Sequence, residues 1–134
     1  MAGYSGTPLP KKLGIAAGST VALLDPPADF AETLGPLPDR VKIRRTVRGK
    51  CDVIVAFLTE RRRFEQRIPT LELLIFPAGG LWIAWPKRAS GVATDMTEDV
   101  VREVALPRGL VDNKVCAIDD TWSGLRLVWR RDRR

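Results

Sequence analysis

The 134-residue chain contains no histidine. That absence removes the imidazole base on which Ser-His-Asp and Cys-His mechanisms depend, and it leaves only carboxylates and thiols as metal ligands. Thiols are scarce too. Cys51 and Cys116 are the only two cysteines; they fall on separate predicted strands without ligand-type neighbours, so two buried free thiols are expected rather than a disulfide or a metal site. Long hydrophobic runs are also missing. The longest uncharged stretch, Leu73–Pro86, has 14 residues and is interrupted by Pro77, Gly79 and Gly80, whereas a membrane-spanning helix needs about 20 apolar residues. The first 13 residues lack the apolar segment of a signal peptide, so a cytoplasmic location is expected and no membrane partner.

What is present has the balance of a globular protein. An apolar fraction of 45% and a charged fraction of 28% suit a single domain over residues 1–134, flexible at 1–6 and 131–134, that buries roughly two thirds of its unfolded surface. The net charge is +6, and the positive residues are clustered. Arg40, Lys42, Arg44, Arg45, Arg48 and Lys50 crowd one segment, Arg61, Arg62, Arg63 and Arg67 a second, and Arg126, Arg130, Arg131, Arg133 and Arg134 the end. Such a field attracts nucleic acid, acidic proteins or phosphorylated metabolites, and Arg44, Arg45 and Arg48 are the nucleic-acid candidates.

Along the chain, Thr7-Pro8 opens a short helix through Leu13, and Thr20–Leu24 is a strand. Asp29 caps another brief helix ending at Gly35-Pro36. Val41–Thr46 alternates like an edge strand, but Val47–Lys50 is short for a parallel crossover, so this strand is expected to be antiparallel or much shorter. Asp52–Leu58 is an apolar run behind one acid, the pattern of a central strand buried on both faces. Phe64, Ile68, Leu71, Leu74 and Ile75 then recur at helical spacing, with Pro69 predicting a kink or two short helices. Leu81–Trp85 is a second buried strand ended by Pro86. Asp95 or Thr97 caps a helix whose apolar face is Val100, Val101, Val104 and Ala105, and Pro107–Gly109 stops it. Leu110–Ile118 and Leu125–Arg130 form a closing hairpin through Asp119–Gly124. The fold class is α/β: a Rossmann-like three-layer sandwich of about six strands, mostly parallel, with a C-terminal antiparallel hairpin.

In such a sheet ligands bind beyond the carboxyl ends of the strands. Four segments should meet there: Asp25–Asp29, Thr59-Glu60-Arg61, Pro86–Asp95 and part of the last hairpin. The ligand candidates are Asp25, the polar loop residues Lys87, Arg88, Ser90, Gly91, Thr94 and Asp95, and Trp122, placed beside Ser123-Gly124 in a turn. Trp82, Trp85 and Trp129 read as core. Lys87 and Ser90 are the one conceivable base and nucleophile, without an identifiable oxyanion hole. Gly3-Tyr4-Ser5-Gly6 has the look of a nucleophile elbow but follows no strand.

From Cys51 onward, Asp52–Leu58, the Pro77-Ala78-Gly79-Gly80-Leu81-Trp82-Ile83 turn and strand, and the final hairpin resemble the S-adenosylmethionine-dependent methyltransferase branch of Rossmann folds. That resemblance implies a glycine-rich loop after the first strand and an acidic residue after the second. Here those places hold Asp25-Pro26-Pro27-Ala28-Asp29 and Arg44-Arg45-Thr46, so no cofactor is expected. Over its whole length the chain is similar to a small bacterial family of unknown function. The strings that carry this are Gly3-Tyr4-Ser5-Gly6-Thr7-Pro8-Leu9, Leu81-Trp82-Ile83-Ala84-Trp85-Pro86-Lys87, Ala89-Ser90-Gly91-Val92-Ala93-Thr94-Asp95 and Thr121-Trp122-Ser123-Gly124-Leu125.

The lost glycine loop, the missing histidine and the short chain favour a non-catalytic module binding an anionic small molecule or a protein. Two alternatives remain open. One is a small enzyme acting on an anionic metabolite, with Lys87 and Arg88 as electrostatic stabilisers and Asp95 as base; the other is a basic nucleic-acid-binding protein.

Overall fold

Apolar runs too short for helices become the middle of a sheet. In a computed structural model describing residues 6–134, the chain runs α1 (Leu9–Lys12), β1 (Thr20–Leu24), α2 (Phe30–Leu34), β2 (Lys42–Arg44), β3 (Val53–Phe57), α3 (Arg61–Leu74), β4 (Gly80–Pro86), α4 (Glu98–Ala105), β5 (Leu110–Ala117) and β6 (Trp122–Trp129). The strand order is β2-β1-β3-β4-β6-β5. The first four strands are parallel neighbours, and β6 runs antiparallel to both β4 and β5. Every residue of β3 and β4 is buried, as expected for strands covered on both faces.

Two hydrophobic cores make three layers. On one face α3 and α4 pack Phe64, Ile68, Leu71, Val101 and Ala105 against Ile54, Ala56, Leu81 and Ile83. On the other, α1 and α2 cover Val21, Leu23, Val55 and Trp82 with Leu13, Phe30 and Leu34. Trp82, Trp85 and Trp129 are core residues, and two of their indoles are anchored: Trp82 Nε1 donates to the Leu13 carbonyl at 2.9 Å and Trp129 Nε1 to the Glu72 carbonyl at 2.8 Å. Cys51, just ahead of β3, and Cys116 on β5 are buried free thiols.

The structure decides between three pairs of open alternatives and corrects one placement. Of the two alternatives for the strand near Val41–Thr46, the shorter one holds: it is three residues long and runs parallel, not antiparallel, to β1; because it is so short, the eight residues from 45 to 52 suffice to return the chain beneath β1. Pro69 lies inside one α-helix rather than between two. Its missing N–H would have served the carbonyl of Glu65, and both residues are exposed, so water can satisfy that carbonyl. Of the two candidate caps of α4, Thr97 serves: its hydroxyl accepts from the Val100 N–H at 3.1 Å. Trp122 lies in β6, opposite Pro86, and not in a turn. The turn falls three residues earlier, where Asp119 Oδ1 accepts from the N–H groups of Thr121 and Trp122 at 2.8 and 2.7 Å.

Residues Arg131–Arg133 form a short 3-10 turn. Met1–Ser5, and with them most of the Gly3–Gly6 string and of the 1–6 segment expected to be flexible, lie outside the described residues. Among the described residues no helix is long and apolar enough to cross a membrane.

Candidate functional site

The chain leaves β1 toward β2 on one side and returns to β3 on the other, so the carboxyl ends of β1 and β3 flank the switch point. The four expected segments do meet there, joined by hydrogen bonds. Asp25 adopts a left-handed backbone (φ 51°), and its carboxylate pairs with Arg63 in the first turn of α3 at 2.9 Å. The Thr94 hydroxyl donates to the Thr59 carbonyl at 2.6 Å and accepts from the Met96 N–H at 3.0 Å. Asp95 accepts from the Arg61 N–H at 2.7 Å, serving the start of α3, where Glu60 makes no capping bond.

Lys87 and Ser90 of this loop are also engaged. Lys87 Nζ donates to the Asp119 carbonyl at 2.7 Å and its backbone N–H to the Thr121 carbonyl at 2.7 Å, which ties the loop to the hairpin turn. Ser90 Oγ donates to the Lys87 carbonyl at 2.6 Å. Lys87 and Ser90 are thus linked through backbone, not as an amine facing a hydroxyl. Gly91 supplies the left-handed residue (φ 76°) that ends the turn Arg88–Ser90. A cleft of about 290 Å³ remains, lined by Trp85, Pro86, Arg88, Gly91, Val92, Ala93, Thr94 and Met96; Arg88 is its one charged lining residue.

On the α2 face, the half-buried Trp122 ring stands edge-on to Phe57 at 5.1 Å, and Phe57 stands edge-on to Phe30 at 5.0 Å. Three aromatic rings therefore fill the space over the end of β3. Trp122 is packing on its neighbours across the sheet rather than standing open to solvent.

The arginines proposed for nucleic acid are brought together. Arg44, Arg45, Thr46, Arg48 and Gly49 line a cleft of about 540 Å³ beside the sheet edge. Arg44 donates to the Arg48 carbonyl at 2.9 Å, and a Cβ at Gly49 would lie 3.0 Å from the Arg44 guanidinium. Arg45 and Arg48 are exposed. No carboxylate lines this cleft, which makes it electropositive.

A second basic cleft has no counterpart in the sequence-based expectations. Thr7, Lys11, Lys12, Lys114, Val115, Cys116 and Ala117 line about 530 Å³ between α1 and the edge strand β5. Burial raises the Cys116 thiol above its ordinary pKa, while Lys12, Lys114 and Lys87 pull the other way. Its lysines are roughly a hundred residues apart in sequence, so no local pattern could have revealed it; the one signal was Lys114 interrupting a strand. Among the described residues no group of three or more histidine, cysteine or acidic side chains could hold a metal ion.

No family model and no curated protein matches the chain. Solved structures do. Fibrillarin, a pre-rRNA processing protein from Methanococcus jannaschii, superimposes with a TM-score of 0.60 at 14% identity, covering 96% of this chain and 71% of its own. Magnesium protoporphyrin IX methyltransferase from Synechocystis PCC 6803, solved with bound S-adenosylmethionine, gives 0.61 at 11% identity over 91% of this chain and 74% of its own. An S-adenosylmethionine-dependent methyltransferase from Aquifex aeolicus gives 0.54 at 15% identity, covering 87% and 85%. At these identities the likeness concerns architecture: the chain has the methyltransferase-like Rossmann fold, a three-layer α/β sandwich closed by an antiparallel hairpin.

Proposed function

We propose that this chain is a non-catalytic binding module on a methyltransferase-like scaffold, and that its ligand is the phosphate backbone of a nucleic acid, held by Arg44, Arg45 and Arg48. The observation that carries the reading is the cleft these three arginines share with Gly49, which no acidic residue lines. It occupies the end of the second strand, where the methyltransferase resemblance calls for an acid.

The residues at the switch point fit S-adenosylmethionine poorly. Asp25-Pro26-Pro27 stands where the backbone would have to approach the cofactor closely, Asp25 is paired with Arg63, and Phe30, Phe57 and Trp122 pack over the end of β3. An enzymatic reading with Lys87 as stabiliser and Asp95 as base is disfavoured because both groups already hold backbone partners. The distinctive strings around Trp82–Lys87 and Ser90–Asp95 support membership of a small bacterial family of unknown function. A cytoplasmic setting and a single domain accord with this reading.

The test is equilibrium binding of a fluorescent single-stranded oligonucleotide across a salt series, beside calorimetry with S-adenosylmethionine. Affinity should fall steeply with salt, and Arg45→Gln with Arg48→Gln should flatten the slope by about two phosphate contacts. Absent or salt-independent binding overturns the nucleic-acid reading; saturable binding of the methyl donor overturns the non-catalytic one.

A further inference from the structure

The sheet ends in β5, which pairs with β6 alone and leaves its other side open. The hydrogen bonding of the hairpin sets which residues face that open edge. The Ile118 N–H donates to the Trp122 carbonyl at 2.9 Å, and in an antiparallel ladder bonded and unbonded pairs alternate. Along the register from there, Cys116 and Lys114 direct their backbone groups toward β6, whereas Val115 and Ala117 present theirs to the edge. Among the described residues the partner of these outward groups is the Cys116 thiol alone, which donates to the Ala117 carbonyl at 3.3 Å.

The side chains sort on the same register. Val115 lies opposite Leu125, a residue of the core beneath α3 and α4, whereas Cys116 belongs to the core beneath α1. Lys114, two residues from Cys116, therefore shares the α1 face. There the cleft of about 530 Å³ is lined by Lys11, Lys12 and Lys114, and by no carboxylate. Asp112, the nearest acid along the strand, is already paired with Arg102 of α4. On the opposite face Val115 is 59% exposed. Lysines on an edge strand deter a second copy of the same chain, because pairing would set positive charge against positive. They favour a strand of the opposite charge.

We propose that the β5 edge, distinct from the arginine cleft, is a docking site for an extended acidic peptide segment, which adds a strand beside Val115 and Ala117. Successive side chains of an added strand point to opposite faces of the sheet. Acids at alternate positions meet the lysines of the cleft, and apolar residues between them cover Val115. Backbone bonds to the outward N–H and C=O groups supply affinity, and the two faces supply sequence selection. A phosphodiester chain fits less well, because it carries no donor for the Val115 and Ala117 carbonyls. The bulge between Asp112 and Lys114 limits the pairing to the residues after it.

The experiment is fluorescence anisotropy of the full chain with a labelled peptide of alternating glutamate and valine. Two comparison peptides keep its length: one with proline for valine, which holds the charge but lacks those backbone donors, and one with lysine for glutamate. The acidic peptide should bind saturably, and each comparison peptide at least about tenfold more weakly. Val115→Pro removes an outward N–H without touching the ladder to β6, and Lys114→Glu reverses a charge of the cleft. Either should weaken binding at least about tenfold, with Arg62→Gln, on α3, unchanged. The Val115 and Ala117 amides should exchange with deuterium quickly in the free protein and slowly in the complex. Lys114 is exposed, so the test stands even if Val115→Pro folds poorly. The proposal is overturned if the acidic peptide does not bind saturably, if either comparison peptide binds equally tightly, or if the chain self-associates and Val115→Pro abolishes it, which makes the occupant a second copy. Displacement of the peptide by an oligonucleotide whose own binding is lost in Lys114→Glu overturns it too, and assigns the cleft to nucleic acid. Neither Lys114 nor Val115 lines the arginine cleft, so absence of peptide binding leaves the nucleic-acid reading of that cleft standing, and the reverse holds too.

Discussion

Asp95 and Arg61 are joined by a 2.7 Å hydrogen bond from the backbone N–H of the first residue of α3 to the carboxylate of the loop leading into α4. An acid from one inter-element loop thus does for another helix what its own N-cap residue, Glu60, leaves undone. The bond places a negative charge at the positive end of a 14-residue helix. It also makes the loop after β4 part of the α3 packing.

Asp95→Ala should therefore lower stability by about 1 kcal/mol, the usual cost of a lost helix cap. Asp95→Asn, which keeps an acceptor and loses the charge, should cost roughly half as much. Urea denaturation followed by tryptophan fluorescence checks this. A general base with no structural duty would leave the midpoint unmoved.

Much of the sheet is legible locally. Thr20–Leu24 and the run ending at Leu58 needed only their apolar content, because strands covered on both faces carry few other signals. The start of β6 was not legible, because Ser123-Gly124 has turn chemistry. Its glycine serves packing instead: a Cβ at Gly124 would lie 3.1 Å from both Trp82 Cε3 and Ile118 Cδ1. The polar loop reads as a cluster suited to capping or to a ligand, but which bonds it makes is hidden because its partners are remote. Lys87 bonds 32 residues away, Asp95 34 and Thr94 35. Lys11 and Lys114 line one cleft only because α1 lies beside the edge strand β5.

Trp82 is fully buried and its indole N–H is the donor for the carbonyl of Leu13, itself inaccessible to solvent. Trp82→Phe should cost about 2–3 kcal/mol, part from the space vacated and part from leaving that carbonyl without a donor. Trp85→Phe is the comparison, since the Trp85 ring is slightly exposed. Its smaller loss of midpoint in urea would separate the two; equal losses would mean the Leu13 bond contributes nothing.

Both thiols are held above the ordinary value of 9.0, chiefly by burial, although Arg44 opposes the shift at Cys51 and Lys12, Lys114 and Lys87 oppose it at Cys116. On raising the pH the unfolded chain releases these protons first. The stability they contribute is fully present below pH 9.0 and is lost as the pH rises through the folded-state values. The native protein at pH 8 should react slowly with an aromatic disulfide reagent, and two thiols should appear at once in denaturant. Fast reaction of either thiol in the native state contradicts the burial.

Asp25 combines an exposed ion pair with a left-handed backbone, and the two contributions can be separated. The Asp25 and Arg63 side chains are each 52% exposed, so the pair should be worth no more than about 1 kcal/mol. The backbone at φ 51° is one that Asn and Asp tolerate and β-branched residues do not. Asp25→Asn should shift stability by less than about 0.5 kcal/mol, whereas Asp25→Val should cost about 1–2 kcal/mol. Asp25→Gly should recover most of that loss, because glycine enters the left-handed region freely. If Asn and Val cost the same, the ion pair and not the backbone governs this turn; if Gly matches Val, the strain is not there.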